Sequence, residues 1–114
     1  MRRPESKFVS PRVQSVADRL GLAIRSARLA RKATQQDLAE RARMSSLTWH
    51  KIEKGMTSVA VGTWLSAFEQ TGLLGHLEQL AAPELDKVGE ALRQQQLRQR
   101  GRQISTESSN DYDF

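Results

Sequence analysis

The chain contains no cysteine, which removes disulfide frameworks, thiolate zinc sites and cysteine nucleophiles together and fits a reducing compartment. No apolar run approaches the length of a transmembrane helix, and the opening MRRPESKFVS lacks the apolar core of a signal peptide. The expected location is therefore cytoplasmic, with no membrane partner. Only two histidines occur, His50 and His76, and neither has a ligand partner at suitable spacing, so no metal and no cofactor is expected. Strand-like alternation, internal repeats and glycine-rich phosphate loops are also missing. At 114 residues the chain suits one small domain with a modest core, and its size argues against a large enzyme.

What is present is charge, unevenly placed. The net charge is +5, but residues 1–54 hold 13 basic and 5 acidic groups, a balance of +8, whereas residues 55–114 hold 5 and 8, a balance of −3. The basic half should face a polyanion and the acidic half something else. Residues 1–9 read as a flexible basic arm. Ser10 and Pro11 look like a cap and first-turn pair, and Val13, Val16, Ala17, Leu20, Ile24 and Ala27 then recur at helical spacing. This first helix should run to about Lys32, although Gly21 could divide it.

Thr34, followed three residues later by Asp37, resembles a capping box at the start of a short second helix with Leu38, Ala39 and Ala42 on one face. Ser45 is a second cap, and SLTWHKIEK runs on with Trp49 and Ile52 three apart until Gly55 stops it. A fourth helix begins near Val61 with Trp64, Leu65 and Phe68 inward and ends at Gly72; a fifth carries Leu73, Leu74, Leu77 and Leu80. Pro83 opens a further segment whose early acids and late arginines complement a helix dipole. The expected organisation is all-α: five helices over residues 10–81, a helical extension over 82–102, and a disordered acidic tail over 103–114. The expected core comprises Leu20, Ile24, Leu38, Trp49, Ile52, Leu65, Phe68 and Leu77.

Two short capped helices meeting across a tight turn, the later one ending in glycine, form a helix-turn-helix arrangement, whose second helix enters the DNA major groove. That reading accounts for the mixed composition of ARMSSLTWHKIEKG. Trp49 and Ile52 point back, while Ser46, Leu47, Thr48, His50 and Lys51 face outward. Lys51 can donate to guanine O6 and N7, Leu47 can touch a thymine methyl, and Ser46 or Thr48 can serve either partner. Ser46, Leu47, Thr48 and Lys51 are thus the expected base contacts. Arg25, Ser45, His50 and Lys54 are expected against the phosphate backbone.

ATQQDLAERARMSSLTWHKIEKG, with LGLAIRSAR before it and TWLSAFEQTG after it, resembles the XRE family, the lambda-repressor-like helix-turn-helix domains. The resemblance covers roughly residues 19 to 74. It implies that Gln35 touches a phosphate and braces the recognition helix, and that Arg28 pairs with Glu53 to hold the first helix to the third. Two positions depart from the pattern: Trp49 replaces a smaller aliphatic, and Thr71 stands where leucine is usual, at a cost in packing. VGT, TGLL and PELDKVG in the later half are similar to HipB-like antitoxins of HipA-type kinase toxins. This implies a homodimer that represses its own operon and binds a HipA-like kinase.

Plainer readings stand beside these. Trp49 and Trp64 could stack single-stranded bases, but tryptophan at helical spacing beside other apolar residues is usually core. The arginines at 25, 28, 31 and 41 could form only a solvated face. Leu85, Val88 and Leu92 fall at i, i+3 and i+7, a stripe suited to docking on the domain, a sister subunit or another protein. The carboxylates nearest the basic face, Asp37, Glu40 and Glu53, are explained by capping or pairing, and no nucleophile–base pair accompanies them. Apart from repressor action on a double-stranded DNA operator, the chain could be a stand-alone XRE-type regulator without a toxin partner, or an adaptor that binds only protein.

Overall fold

The computed structural model describes residues 9–106, with side chains as far as Arg102. The expected tail from 107 on, and the expected arm apart from Val9, lie outside the described residues. Among those residues the chain is all-helical, with six α-helices: α1 (Pro11–Ala30), α2 (Gln35–Arg41), α3 (Ser46–Glu53), α4 (Val61–Gln70), α5 (Leu74–Glu78) and α6 (Lys87–Thr106). It divides into two units after Leu77.

In the first unit, α1 begins where Ser10 Oγ accepts the Val13 backbone N–H at 3.1 Å, with Pro11 at the first helical position. It runs unbroken through Gly21. A Cβ there would lie 2.6 Å from the Ile52 carbonyl oxygen and 2.7 Å from that of Glu53. Gly21 is therefore not a break: it lets the backbone at the end of α3 lie directly against α1. The buried face of α1 is Ala17, Gly21, Ile24 and Arg28. Val13 and Val16, in phase one turn earlier, are exposed.

Ile24, Leu38, Ala39, Trp49, Ile52, Trp64, Ala67 and Phe68 form one buried cluster, with Leu20, Leu73, Leu74 and Leu77 partly buried against it. Each of the large side chains here contributes about 1.5–3 kcal/mol relative to exposure. Leu65 is a correction. It is 39% exposed while Trp64, Ala67 and Phe68 are buried, because the inward arc of α4 follows the i, i+3, i+4 set and Leu65 stands about 100° around from Trp64. The Trp64 and Phe68 rings lie 6.1 Å apart, and Trp64 Nε1 donates to the Met56 carbonyl at 3.2 Å. Thr71 is fully buried, and its hydroxyl is 3.0 Å from the Ala67 carbonyl and 3.1 Å from that of Phe68. Its polar atom is thus satisfied within its own helix.

In the second unit, short 3₁₀ turns at Gln79–Ala81 and Pro83–Leu85 precede α6. The helix starts at Lys87 rather than Pro83, because Asp86 leaves helical geometry and its Oδ1 accepts the Gly89 N–H at 3.1 Å, acting as the cap. It continues to Thr106, past the expected end near residue 102. Leu85 precedes the helix, so only Val88 and Leu92 of the expected stripe lie on α6, both exposed. Arg93 bonds the Glu90 carboxylate at 3.1 Å and thereby holds that carboxyl below its ordinary range.

Candidate nucleic-acid interface

The α2–turn–α3 unit is assembled by caps. Thr34 Oγ1 accepts the Asp37 N–H at 3.0 Å while Asp37 Oδ2 accepts the Thr34 N–H at 3.2 Å, a complete capping box. The Thr34 backbone and hydroxyl hydrogen bonds hold the Asp37 carboxyl below its usual range. Arg43, at φ 59°, makes the turn. Ser45 Oγ then accepts the Thr48 N–H at 3.1 Å, starting α3, and Gly55 at φ +78° ends it. A Cβ on Gly55 would meet Asp18 Oδ1 at 2.5 Å, so α1 crosses close over this end too. Gln14 Nε2 donates there to the Gly55 carbonyl at 2.9 Å and to Asp18 Oδ1 at 2.8 Å.

On α3, Trp49, Ile52 and Glu53 are buried; Ser46, Leu47, His50 and Lys54 are exposed; Thr48 and Lys51 are half-buried. Leu47 is 61% exposed, an apolar side chain held out at the N-terminal end of a helix. The Thr48 hydroxyl lies 2.9 Å from Ser45 Oγ. Of the four expected base readers, Ser46, Leu47 and Lys51 make no side-chain hydrogen bond or ion pair among the described residues, whereas Thr48 would have to give up or share the contact with Ser45.

The orientation of α3 rests on one buried carboxylate. Arg28 Nε donates to Glu53 Oε2 at 2.6 Å and Arg28 Nη2 to Oε1 at 3.0 Å, a bidentate pair between α1 and α3. Gln35 Nε2, from the first turn of α2, donates to Oε1 at 3.0 Å, and Trp49 Nε1 donates to Oε2 at 2.5 Å. Burial opposes the Glu53 charge, but the hydrogen bonds from Arg28, Gln35 and Trp49 outweigh it and hold the carboxyl below its ordinary range. The hydrogen bond to Glu53 raises the Arg28 guanidinium, against the effect of burial. Three helices thus converge on Glu53. The Trp49 bond was not anticipated from the sequence, although its i, i+4 spacing to Glu53 was the available signal. It also explains how tryptophan fits at a place expected for a smaller side chain: its N–H has a partner, and its ring is fully buried.

Between α1 and α3 lies an open cleft of about 340 Å³ whose lining includes Arg25, Gln35, His50 and Lys54 with Asp18 and Glu53. Four of the five residues expected against the phosphate backbone are thereby brought to one concavity, and Ser45 lies outside its lining. Leu22, 57% exposed, also lines it; nothing in the sequence singled it out. Among the described residues, no group of three or more His, Cys, Asp or Glu side chains is placed to hold a metal ion, and no helix is long and apolar enough to cross a membrane.

Neither the curated proteins nor the solved structures include a match to this chain. A family profile described as a helix-turn-helix domain does match, over residues 19–80. That span contains the two caps, the turn, the Glu53 clamp and the buried cluster, and covers more than half of the sequence. The chain belongs to the helix-turn-helix domain family.

Proposed function

We propose that this protein is a sequence-specific DNA-binding transcriptional repressor that acts as a homodimer on a double-stranded operator, and that it is the antitoxin of a HipA-like kinase toxin whose operon it autoregulates. The observation that carries the DNA reading is α3 itself. Its buried side locks onto α1 and α2 through Glu53, and its other side offers Leu47, Ser46 and Lys51, an apolar group, a hydroxyl and an ammonium suited to base edges. Arg25, His50 and Lys54, with Gln35, line the adjoining cleft and supply the cations and donors for phosphate. A single recognition helix reads only a few base pairs, so two-fold pairing is the economical way to a specific site. The antitoxin role rests on the resemblance of VGT, TGLL and PELDKVG to HipB-like proteins, with exposed Val88 and Leu92 of α6 as apolar surface for a protein partner.

Selecting bound duplexes from a random pool, then titrating the preferred and a scrambled duplex over a series of salt concentrations, tests the DNA reading. Tight binding to the preferred duplex, and binding to both that falls steeply with salt, is expected because phosphate contacts release counterions. A salt-insensitive protein without duplex preference would instead be an adaptor. For the antitoxin role, co-purification with a HipA-like kinase should fall on deleting residues 103–114 while operator affinity holds. Unchanged kinase binding would remove the tail from that interface, and no kinase binding by the full chain would leave a stand-alone regulator.

A further inference from the structure

Four helix ends in the first unit are followed by a residue in the left-handed region: Lys32 (φ 53°) after α1, Arg43 (φ 59°) after α2, Gly55 (φ 78°) after α3 and Gly72 (φ 78°) after α4. Glycine takes this conformation without a Cβ clash, whereas any other L-residue is strained there. At Gly55 the choice is forced by contact with Asp18. At position 43 the backbone is fixed by the turn: the Arg43 N–H donates to the Glu40 carbonyl at 3.1 Å and the Met44 N–H to that of Ala39 at 2.9 Å. These bonds demand a left-handed residue and make no use of a side chain. Glycine would satisfy them at lower cost, yet arginine is present.

The arginine side chain returns little within the protein. Arg43 is exposed, and among the described residues its guanidinium takes part in no ion pair or hydrogen bond. Its charge does oppose the negative end of the α2 dipole, an effect that any surface cation would have. It stands two residues before Ser45, the cap of α3, so it leaves the chain at the end of the recognition helix that presents Ser46 and Leu47. Strain retained without an internal partner, on a planar five-donor cation beside a helix that reads DNA, points outward to an anion.

We propose that Arg43 grips a phosphate of the DNA backbone at the N-terminal end of α3, an inference that rests on the DNA-binding reading above. The test compares the full-length parent with Arg43→Gly, the substitution that the backbone favours, and with Arg43→Lys, which keeps the charge. Equilibrium binding to the preferred and to a scrambled duplex is measured across a salt series, alongside urea unfolding. Arg43→Gly should unfold at the parent's urea midpoint or above it. It should nevertheless bind both duplexes about eightfold more weakly at 0.1 M salt, with the slope of log K against log salt shallower by about 0.9, the loss of one phosphate contact. Arg43→Lys should keep a slope close to the parent's. An Arg43→Gly protein with the parent's slope, whatever its stability, overturns the inference and leaves Arg43 as a cation capping α2. A parent that shows no salt-dependent duplex binding fails earlier and sinks the DNA reading itself.

Discussion

Replacing Glu53 by alanine should strongly destabilise this domain rather than merely weaken a surface contact. The carboxylate receives Arg28 Nε and Nη2 at 2.6 and 3.0 Å, Gln35 Nε2 at 3.0 Å and Trp49 Nε1 at 2.5 Å. Glu53 and Arg28 are both buried, with 6% and 9% of their surface exposed. Alanine leaves a buried guanidinium without a counter-charge, a loss of about 3–5 kcal/mol, while two neutral donors also lose their acceptor. Against a total of about 5–15 kcal/mol for an ordinary domain, that is a large fraction. For a unit of this size it corresponds to a fall in Tm of about 12 °C or more. Thermal and urea unfolding followed by helical circular dichroism and tryptophan fluorescence measures it directly. Glu53→Gln separates charge from hydrogen bonding, since it keeps one acceptor oxygen and removes the charge. A Glu53→Ala protein within about 1 kcal/mol of the parent would refute the reasoning, because no buried, four-donor carboxylate can be lost so cheaply.

The same carboxylate sets a pH response: its folded pKa lies below the unfolded value, so below about pH 4.3 the unfolded chain binds the proton first, and stability present above that pH should be lost as pH falls through the folded pKa, a dependence that acid titration should find much reduced in Glu53→Ala. Gly21→Ala should destabilise by about 1–3 kcal/mol in urea, since its Cβ would press on the Ile52 and Glu53 carbonyls at 2.6 and 2.7 Å; a neutral result would mean that α1 and α3 can separate freely. Lys51→Ala and Leu47→Ala should each weaken binding to the preferred duplex by about 1–3 kcal/mol and leave scrambled-duplex binding nearly intact, and equal losses on both would remove these residues from base reading. Gln35→Ala should weaken both duplexes together, as a phosphate contact does, and should also lower stability, because Gln35 bonds Glu53; a sequence-dependent effect would show that Gln35 reads bases.

Local chemistry determined much of this protein before any packing was known. Ser10 with Pro11, Thr34 with Asp37, Ser45, Gly55 and Gly72 mark helix ends by hydrogen bonds and dihedral preferences that act over three or four residues. The starts of α1, α2 and α3 and the ends of α3 and α4 follow from them, and a helix-turn-helix profile matches over residues 19–80. Where local and distant demands compete, tertiary structure decided. Gly21, a weak point in a free helix, is the place where α3 meets α1. Leu65 is as apolar as its neighbours, yet α4 has one inward arc and Trp64, Ala67 and Phe68 occupy it. Near α6, Asp86 as a cap overrode Pro83 as a helix opener. The convergence of Gln35 and Trp49 on the carboxylate shared with Arg28 depends on three helices meeting at one point. A periodicity argument reports which face of a helix is apolar; which four donor atoms, drawn from three helices, arrive at the same two oxygens is decided only by packing.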